Sequence, residues 1–172
     1  ALRHWRFFDR FVGERTHGLA PDNHQEDPQP VTAMRTSPTN IGLQLLATVS
    51  ACDLGFITVP DMIGRLESAF RSLERMERFR GHFYNWYDTR DLRPLDPRYV
   101  SAVDSGNLAG HLIALANACA RLVAQSPAFA RRCRVAGQQH ELPRVVPRTE
   151  RRRVDAPVGE REASRTVRRD RS

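Results

Sequence analysis

The sequence predicts a mainly α-helical chain, and three observations lead there. Three long segments repeat apolar residues at helical spacing, between residues 38 and 124. A single aromatic, proline-bearing insert interrupts them. The whole charge imbalance lies in a C-terminal tail that carries no apolar period. The first 130 residues hold 14 Arg and 14 acidic side chains, whereas residues 131–172 hold 13 Arg against 6 acids, the entire +7 excess. The basic character therefore describes the tail and not the folded region, which removes the usual argument for nucleic acid or an anionic membrane surface. Every basic residue is Arg, so Arg reads as a compositional habit before it reads as a site.

Residues 2–12 place Trp5, Phe8 and Val12 on one side of a short helix. Residues 13–37 scatter Gly13, Gly18, Pro21, Pro28 and Pro30 among polar side chains, which predicts a long ordered loop. Thr36 and Ser37 then precede Pro38, a favoured first-turn residue. Ile41, Leu45, Leu46, Val49 and Cys52 follow with a wide apolar arc, and Gly55 supplies the stop. A second helix is expected from residue 60 to 79, with Ile63, Leu66, Phe70, Leu73 and Met76 as its stripe. Glu67–Arg71 and Glu74–Arg78 pair on its wet side.

Residues 81–104 change character. His82 to Tyr87 and Arg98 to Val103 are read as two short strands of an aromatic hairpin, turned by Pro94 and Pro97. Asp104 or Ser105 is expected to cap a third helix over 105–124, with Leu108, Leu112, Leu115, Cys119 and Leu122 on its apolar side. The first and third of these helices, 38–54 and 105–124, are expected to be more buried than the second, 60–79. The chain divides into an N-terminal helix and loop (1–37), a helical segment (38–126) and a disordered Arg-rich tail (127–172). An RNA-binding arginine tail is the weaker reading, because no aromatic is interleaved for base stacking. Translation in a shifted frame is the favoured account of the tail, because composition and periodicity change together within a few residues.

Cys52, Cys119 and Cys133 form no metal or disulfide pattern, and the six His fall into no zinc motif. No signal peptide is read, since Arg3, Arg6 and Asp9 break the N-terminal aromatic stretch. The apolar region from Ile41 to Val59 carries Gln44, Ser50 and Asp53, too polar for a membrane span, so the chain alone is expected to be soluble. His111, one turn from Leu108 and Leu115, is read as a helix-packing residue.

Two clusters could carry chemistry. Trp86 and Tyr87 could stack on sugar rings, with Asp88, Asp104 and Asn107 as hydroxyl partners. The competing reading places the aromatics in a core and uses Asp104 as a cap. Arg35 to Asn40 could face a ligand from a helix N-terminus or merely start the helix. Asp88 and Asp104 could also oppose each other as a carboxylate pair, although nothing in their spacing requires it. The residues alone lead to a helical segment with a candidate sugar-binding hairpin.

Four strings go further: HWRFFDRFV (4–12), LAPDNHQEDPQPVTAMRTSPTNIGL (19–43), ERFRGHFYNWYDTRDLRPLDPRYVS (77–101) and VDSGNLAGHLIALANAC (103–119). They resemble the cyclic β-1,2-glucan synthases almost without a gap from residue 2 to 126. The resemblance implies a fragment of a large inner-membrane enzyme, cut from the start of the central cyclisation region that follows the membrane glycosyltransferase. That region is similar to an (α/α)₆ toroid and closes its glucan by retaining transglycosylation. The parent is expected to be a transferase using UDP-glucose and a divalent metal, with this region cytoplasmic. Its catalytic glutamates are expected downstream, so none is assigned in this chain, and the isolated chain is expected to be inactive.

The same resemblance raises Arg35, Thr36, Asn40, Trp86, Tyr87, Asp88, Asp104 and Ser105 as substrate-binding residues toward β-1,2-glucan. They are expected to gather at one end of the helices. The partners implied are the glucan and the remainder of the parent synthase, with no nucleic acid, no cofactor and no membrane span in this chain. The alternative is a non-catalytic carbohydrate-binding helical module.

Overall fold

A computed structural model describes residues 1–125; the tail expected over 127–172 lies outside the described residues. Four helices carry the fold: α1 (Leu2–Phe11), α2 (Pro38–Asp53), α3 (Val59–Arg75) and α4 (Ala102–Gln125). Six two-residue strands form three separate antiparallel pairs. β1 (His24–Gln25) pairs with β2 (Val31–Thr32), β4 (Arg78–Phe79) with β5 (His82–Phe83), and β3 (Arg35–Thr36) with β6 (Tyr87–Asp88).

α2 is the centre. Ser37 caps it by accepting the Asn40 N–H at 3.2 Å, and Pro38 fills the first turn, where its missing N–H has no consequence. Gly55 ends it at φ 74°, a left-handed conformation that suits glycine. Ile41 and Leu45 are fully buried, each contributing roughly 1.5–3 kcal/mol of apolar burial. α4 lies along one side of α2, closely enough that a Cβ added at Gly42 would overlap the His111 ring. His111 is therefore the packing residue that its spacing predicted.

Gln44 fastens the long loop to this core. Buried on α2, it accepts the Ala20 N–H at 2.6 Å through Oε1 and donates to the Gly18 carbonyl at 2.6 Å through Nε2. Two backbone groups that would otherwise be buried without partners are satisfied by one amide. Leu19, between them, is fully buried in the same core.

Several expectations need correcting. α3 starts with a capping box, Thr58 with Asp61, but stops at Arg75 and not near residue 79. The Tyr87 hydroxyl donates to the Glu77 carbonyl at 2.7 Å, and Met76 turns into the core, so the chain leaves the helix there. The Glu74–Arg78 pair is lost as a result. Arg78 instead donates to the Leu73 carbonyl and lies over the Phe83 ring, while Glu67–Arg71 does form at 3.9 Å. The buried stripe of α3 is centred on Met62, Leu66, Ala69 and Leu73, which leaves Phe70 exposed.

The aromatic hairpin is also rearranged. Its turn is Arg80-Gly81, both at positive φ, between β4 and β5. Residues 98–101 form no strand; the Tyr99 carbonyl takes only the Asn85 N–H at 2.8 Å. α4 begins three residues earlier than expected, and its cap is Ser101, whose Oγ accepts the Asp104 N–H at 3.1 Å, rather than Asp104 or Ser105. Nor is α4 more buried than α3: only Leu108, Leu115 and Ala118 are fully covered. Its apolar arc is as wide as predicted, but the described residues supply a neighbour on one side alone. By length and composition α4 could cross a membrane, the one such helix among the described residues; the sequence reading had found no such segment.

Candidate functional site

The site is assembled by the pairing of β3 with β6, which sets Arg35 opposite Asp88 and Thr36 opposite Tyr87. The pair is extended by the Thr89 N–H to the Met34 carbonyl at 3.0 Å. Because side chains alternate along a strand, this register divides the predicted residues into two sets. Thr36 and Tyr87 point inward and are fully buried. Arg35, Trp86 and Asp88 belong to the other face.

Tyr87 is thus a core residue, not a stacking platform for a sugar. Its hydroxyl accepts the Tyr84 N–H at 2.8 Å while donating to Glu77, and burial pushes its pKa up to about 12. Thr36 likewise offers nothing to a ligand, since its hydroxyl is buried beneath the pair.

On the outward face the Arg35 guanidinium lies 4.5 Å from the centre of the Trp86 ring. Arg35 also donates to Asp22 Oδ2 through Nε at 3.2 Å and Nη2 at 3.0 Å. Asp22 Oδ1 accepts from Asn40 Nδ2 at 3.1 Å. Asp22 therefore ties the loop, β3 and the first turn of α2 together, and the sequence reading missed it. The signal was its place in the polar run Asp22-Asn23-His24, within the long loop predicted over 13–37.

Asp88, though it shares this side, is engaged by Arg90, which donates to both carboxylate oxygens. Those bonds, opposed by burial, hold its pKa below the ordinary carboxylate value. Asp104 lies beneath the outward face, at the paired N-terminal ends of α2 and α4. Burial pushes its pKa up, but hydrogen bonds from the Ser101, Thr39 and Ser37 hydroxyls and the Thr39 N–H outweigh it and lower the value.

Asn85 completes this cluster. In the amide orientation that satisfies its neighbours, Nδ2 donates to Asp104 Oδ2 at 2.8 Å. Its oxygen accepts from Trp86 Nε1 at 2.6 Å and from the Tyr99 hydroxyl at 2.7 Å. Asn107 Nδ2 donates to Thr39 Oγ1 at 3.0 Å, a second link between the two helix starts. The Ser105 hydroxyl is buried without a hydrogen-bond partner among the described residues.

The structure thus brings the two predicted clusters together at one end of the helices. Arg35 stays exposed and Asn40, Trp86 and Asp88 partly exposed there, with Asp104 holding the scaffold below them. Chemically this is a polar surface with one aromatic ring. Neither carboxylate is set up as a general acid, because both are held in their ionised form. Among the described residues no cluster of His, Cys, Asp and Glu could hold a metal. A groove of about 660 Å³ opens elsewhere, between residues 12–18 and α3, and none of the eight predicted residues lines it.

No protein-family model matches the chain. It is 56% identical over 119 residues to the cyclic β-(1,2)-glucan synthase NdvB of Rhizobium meliloti (strain 1021). The match spans 69% of this chain and 4% of that protein, so the chain corresponds to one short segment of a much larger synthase. Two solved structures share the helical arrangement. A glucoamylase-like protein of Bacteroides fragilis NCTC 9343 superposes with a TM-score of 0.56 at 20% identity, covering 65% of this chain and 28% of its own. One from Bacteroides caccae ATCC 43185 gives 0.53 at 23% identity, covering 69% and 34%. At such identities these likenesses describe the fold.

Proposed function

We propose that this chain, as a segment of a cyclic β-1,2-glucan synthase, supplies part of the glucan-binding surface of that enzyme's cyclisation region. In this reading α2, α3 and α4 are consecutive members of an (α/α)₆ toroid, and residues 38–126 form one stretch of it after the N-terminal helix and loop. The end of the helices that carries Arg35, Asn40, Trp86 and Asp88 faces the glucan. The observation that carries the proposal is the Arg35–Trp86 stack, fixed from below by Asn85 and from the side by Asp22. A ring anchored through its Nε1 and flanked by amide and carboxylate groups suits a ligand with apolar C–H faces and many hydroxyls.

The role is binding and not bond-making. Asp88 and Asp104 are both saturated by donors, which favours a surface that orients the chain for catalytic groups elsewhere in the parent. The parent transferase is proposed to use UDP-glucose and a divalent metal, and neither is assigned to a residue of this segment. The parent is proposed to act at the bacterial inner membrane with this region in the cytoplasm.

Titration of linear β-1,2-glucan into the full chain, followed by calorimetry, tests the reading. Trp86→Ala is expected to weaken binding about tenfold or more, the usual loss for an aromatic contact residue. Unchanged affinity in a folded variant would assign Trp86 to packing. In the homologous synthase, Trp86→Ala with Asp88→Ala is expected to reduce cyclisation while UDP-glucose-dependent elongation continues. Loss of elongation instead would move the surface into the transferase's service.

A further inference from the structure

We infer that Tyr99, outside the eight residues predicted for the site, forms with Trp86 a two-ring platform for two successive sugar units of a glucan. The smallest ligand that engages both rings is then a disaccharide. The inference deepens the reading of this surface as glucan-binding and rests on it. The Trp86 indole Nε1 and the Tyr99 hydroxyl both donate to the Asn85 amide oxygen, at 2.6 and 2.7 Å. An amide oxygen has two lone pairs, so this one atom holds both donors and is then full. Asn85 itself is only 6% exposed. The two side chains therefore meet with their polar edges at one buried point, and their rings extend away from it.

Both rings are fixed before a ligand arrives. The Asn85 N–H donates to the Tyr99 carbonyl at 2.8 Å and the Leu95 N–H to the Trp86 carbonyl at 2.9 Å, so each backbone is tied as well as each polar edge. The Asn85 amide has one usable orientation, because its Nδ2 meets the Asp104 carboxylate at 2.8 Å and an ionised carboxylate only accepts. Side chains held in this way lose little freedom on binding. Their faces are also unspent: among the described residues neither ring packs against another aromatic ring, and Tyr99 is 47% exposed. Arg35 lies over one face of the indole, so Trp86 alone offers a narrow contact, and Tyr99 widens it by a second ring. A sugar ring is close to an aromatic ring in size, so each ring seats one unit. With the Asn85 oxygen already full, the platform meets the C–H faces of the sugars and leaves their hydroxyls to Asn40 and Asp88.

The experiment titrates the full chain with methyl β-glucoside and with the β-1,2- and β-1,4-linked disaccharides of glucose, following the Trp86 indole N–H signal by NMR. The unaltered chain is expected to bind the β-1,2-linked disaccharide at least about tenfold more tightly than the monosaccharide. Tyr99→Ala abolishes that step and leaves monosaccharide affinity within about threefold. Tyr99→Leu keeps apolar bulk without a flat face and loses the step as well, so the test does not depend on one variant folding. Tyr99→Phe, which keeps the ring and gives up the hydroxyl, retains it. Should Tyr99→Phe lose as much as Tyr99→Ala, Tyr99 merely supports Asn85 and the inference is overturned. An unchanged step in folded Tyr99→Ala also overturns it, while sensitivity to Trp86→Ala in the same titration leaves the glucan reading standing. A step seen with the β-1,4-linked disaccharide and not with the β-1,2-linked one keeps the two-ring platform and sinks the β-1,2-glucan reading. An indole signal that none of the three sugars shifts overturns both.

Discussion

α2 and α4 are alike as sequences and unlike as structures. Both are long, nearly uncharged and rich in small and aliphatic residues. In α2 half of the residues are buried; in α4 only Leu108, Leu115 and Ala118 are. α1, α3 and α4 all contribute cover to α2, whereas among the described residues α4 packs chiefly on α2. The difference teaches that an apolar arc measures how much surface a helix can bury, and its neighbours decide how much it does.

The sharpest test of this contrast is a pair of truncations. Leu45→Ala in α2 is expected to destabilise the chain by about 3 kcal/mol, through lost transfer energy and a residual cavity. Ile113→Ala in α4 is expected to change stability by less than about 0.5 kcal/mol. Urea unfolding measures both, and similar losses at the two positions would break the comparison.

The first turn of α4 is anchored by hydrogen bonds although Ala102 and Val103 are exposed, and a second pair isolates that anchoring. Asp104→Ala leaves the Ser37, Thr39 and Ser101 hydroxyls without their acceptor, for an expected loss of about 1–2 kcal/mol. Asn117→Ala, on the exposed side of the same helix, is expected to be neutral. Equal small effects would mean that α4 is no better anchored at its start than along its length.

The smallest effect concerns pH. Asp88 and Asp104 have folded-state pKa values below their ordinary ones. Their contribution is therefore complete above the unfolded carboxylate range near 4 and is lost as pH falls through the lower folded values. The midpoint for urea unfolding is expected to hold between pH 7 and pH 5 and to decline below about pH 4. With Asp104→Asn the acid decline should be shallower; an unaltered slope would remove Asp104 from the account.

Much of this was legible in the sequence where a local signal coincided with the tertiary outcome. Ser37-Pro38 and Gly55 mark both ends of α2 because caps are decided within a few residues. The gathering of Arg35, Asn40, Trp86 and Asp88 was implied by the family resemblance, with their clusters on helix-connecting segments. The β3–β6 pairing itself was not legible: two-residue strands carry no period, and their partners lie about fifty residues apart. Tyr87 was misread for the same reason, since only the register reveals that it faces inward while Trp86 faces outward. Asp22 escaped because an acidic residue in a proline-rich loop has no spacing to betray it. That one side of α4 is uncovered among the described residues was not legible, because sequence alone cannot tell an uncovered apolar face from a covered one.

Gln44 has a kinetic consequence. By gripping the Gly18 carbonyl and the Ala20 N–H, it divides the stretch between α1 and α2 into two shorter closures, neither of which has to be ordered in one step. The native grip needs Gln44 to be held by α2, so the docked state of residues 18–20 depends on that helix. The Ala20 amide proton, though it belongs to a segment without regular structure, is then released only when the central helix itself opens. A loop residue would exchange on the timescale of the core.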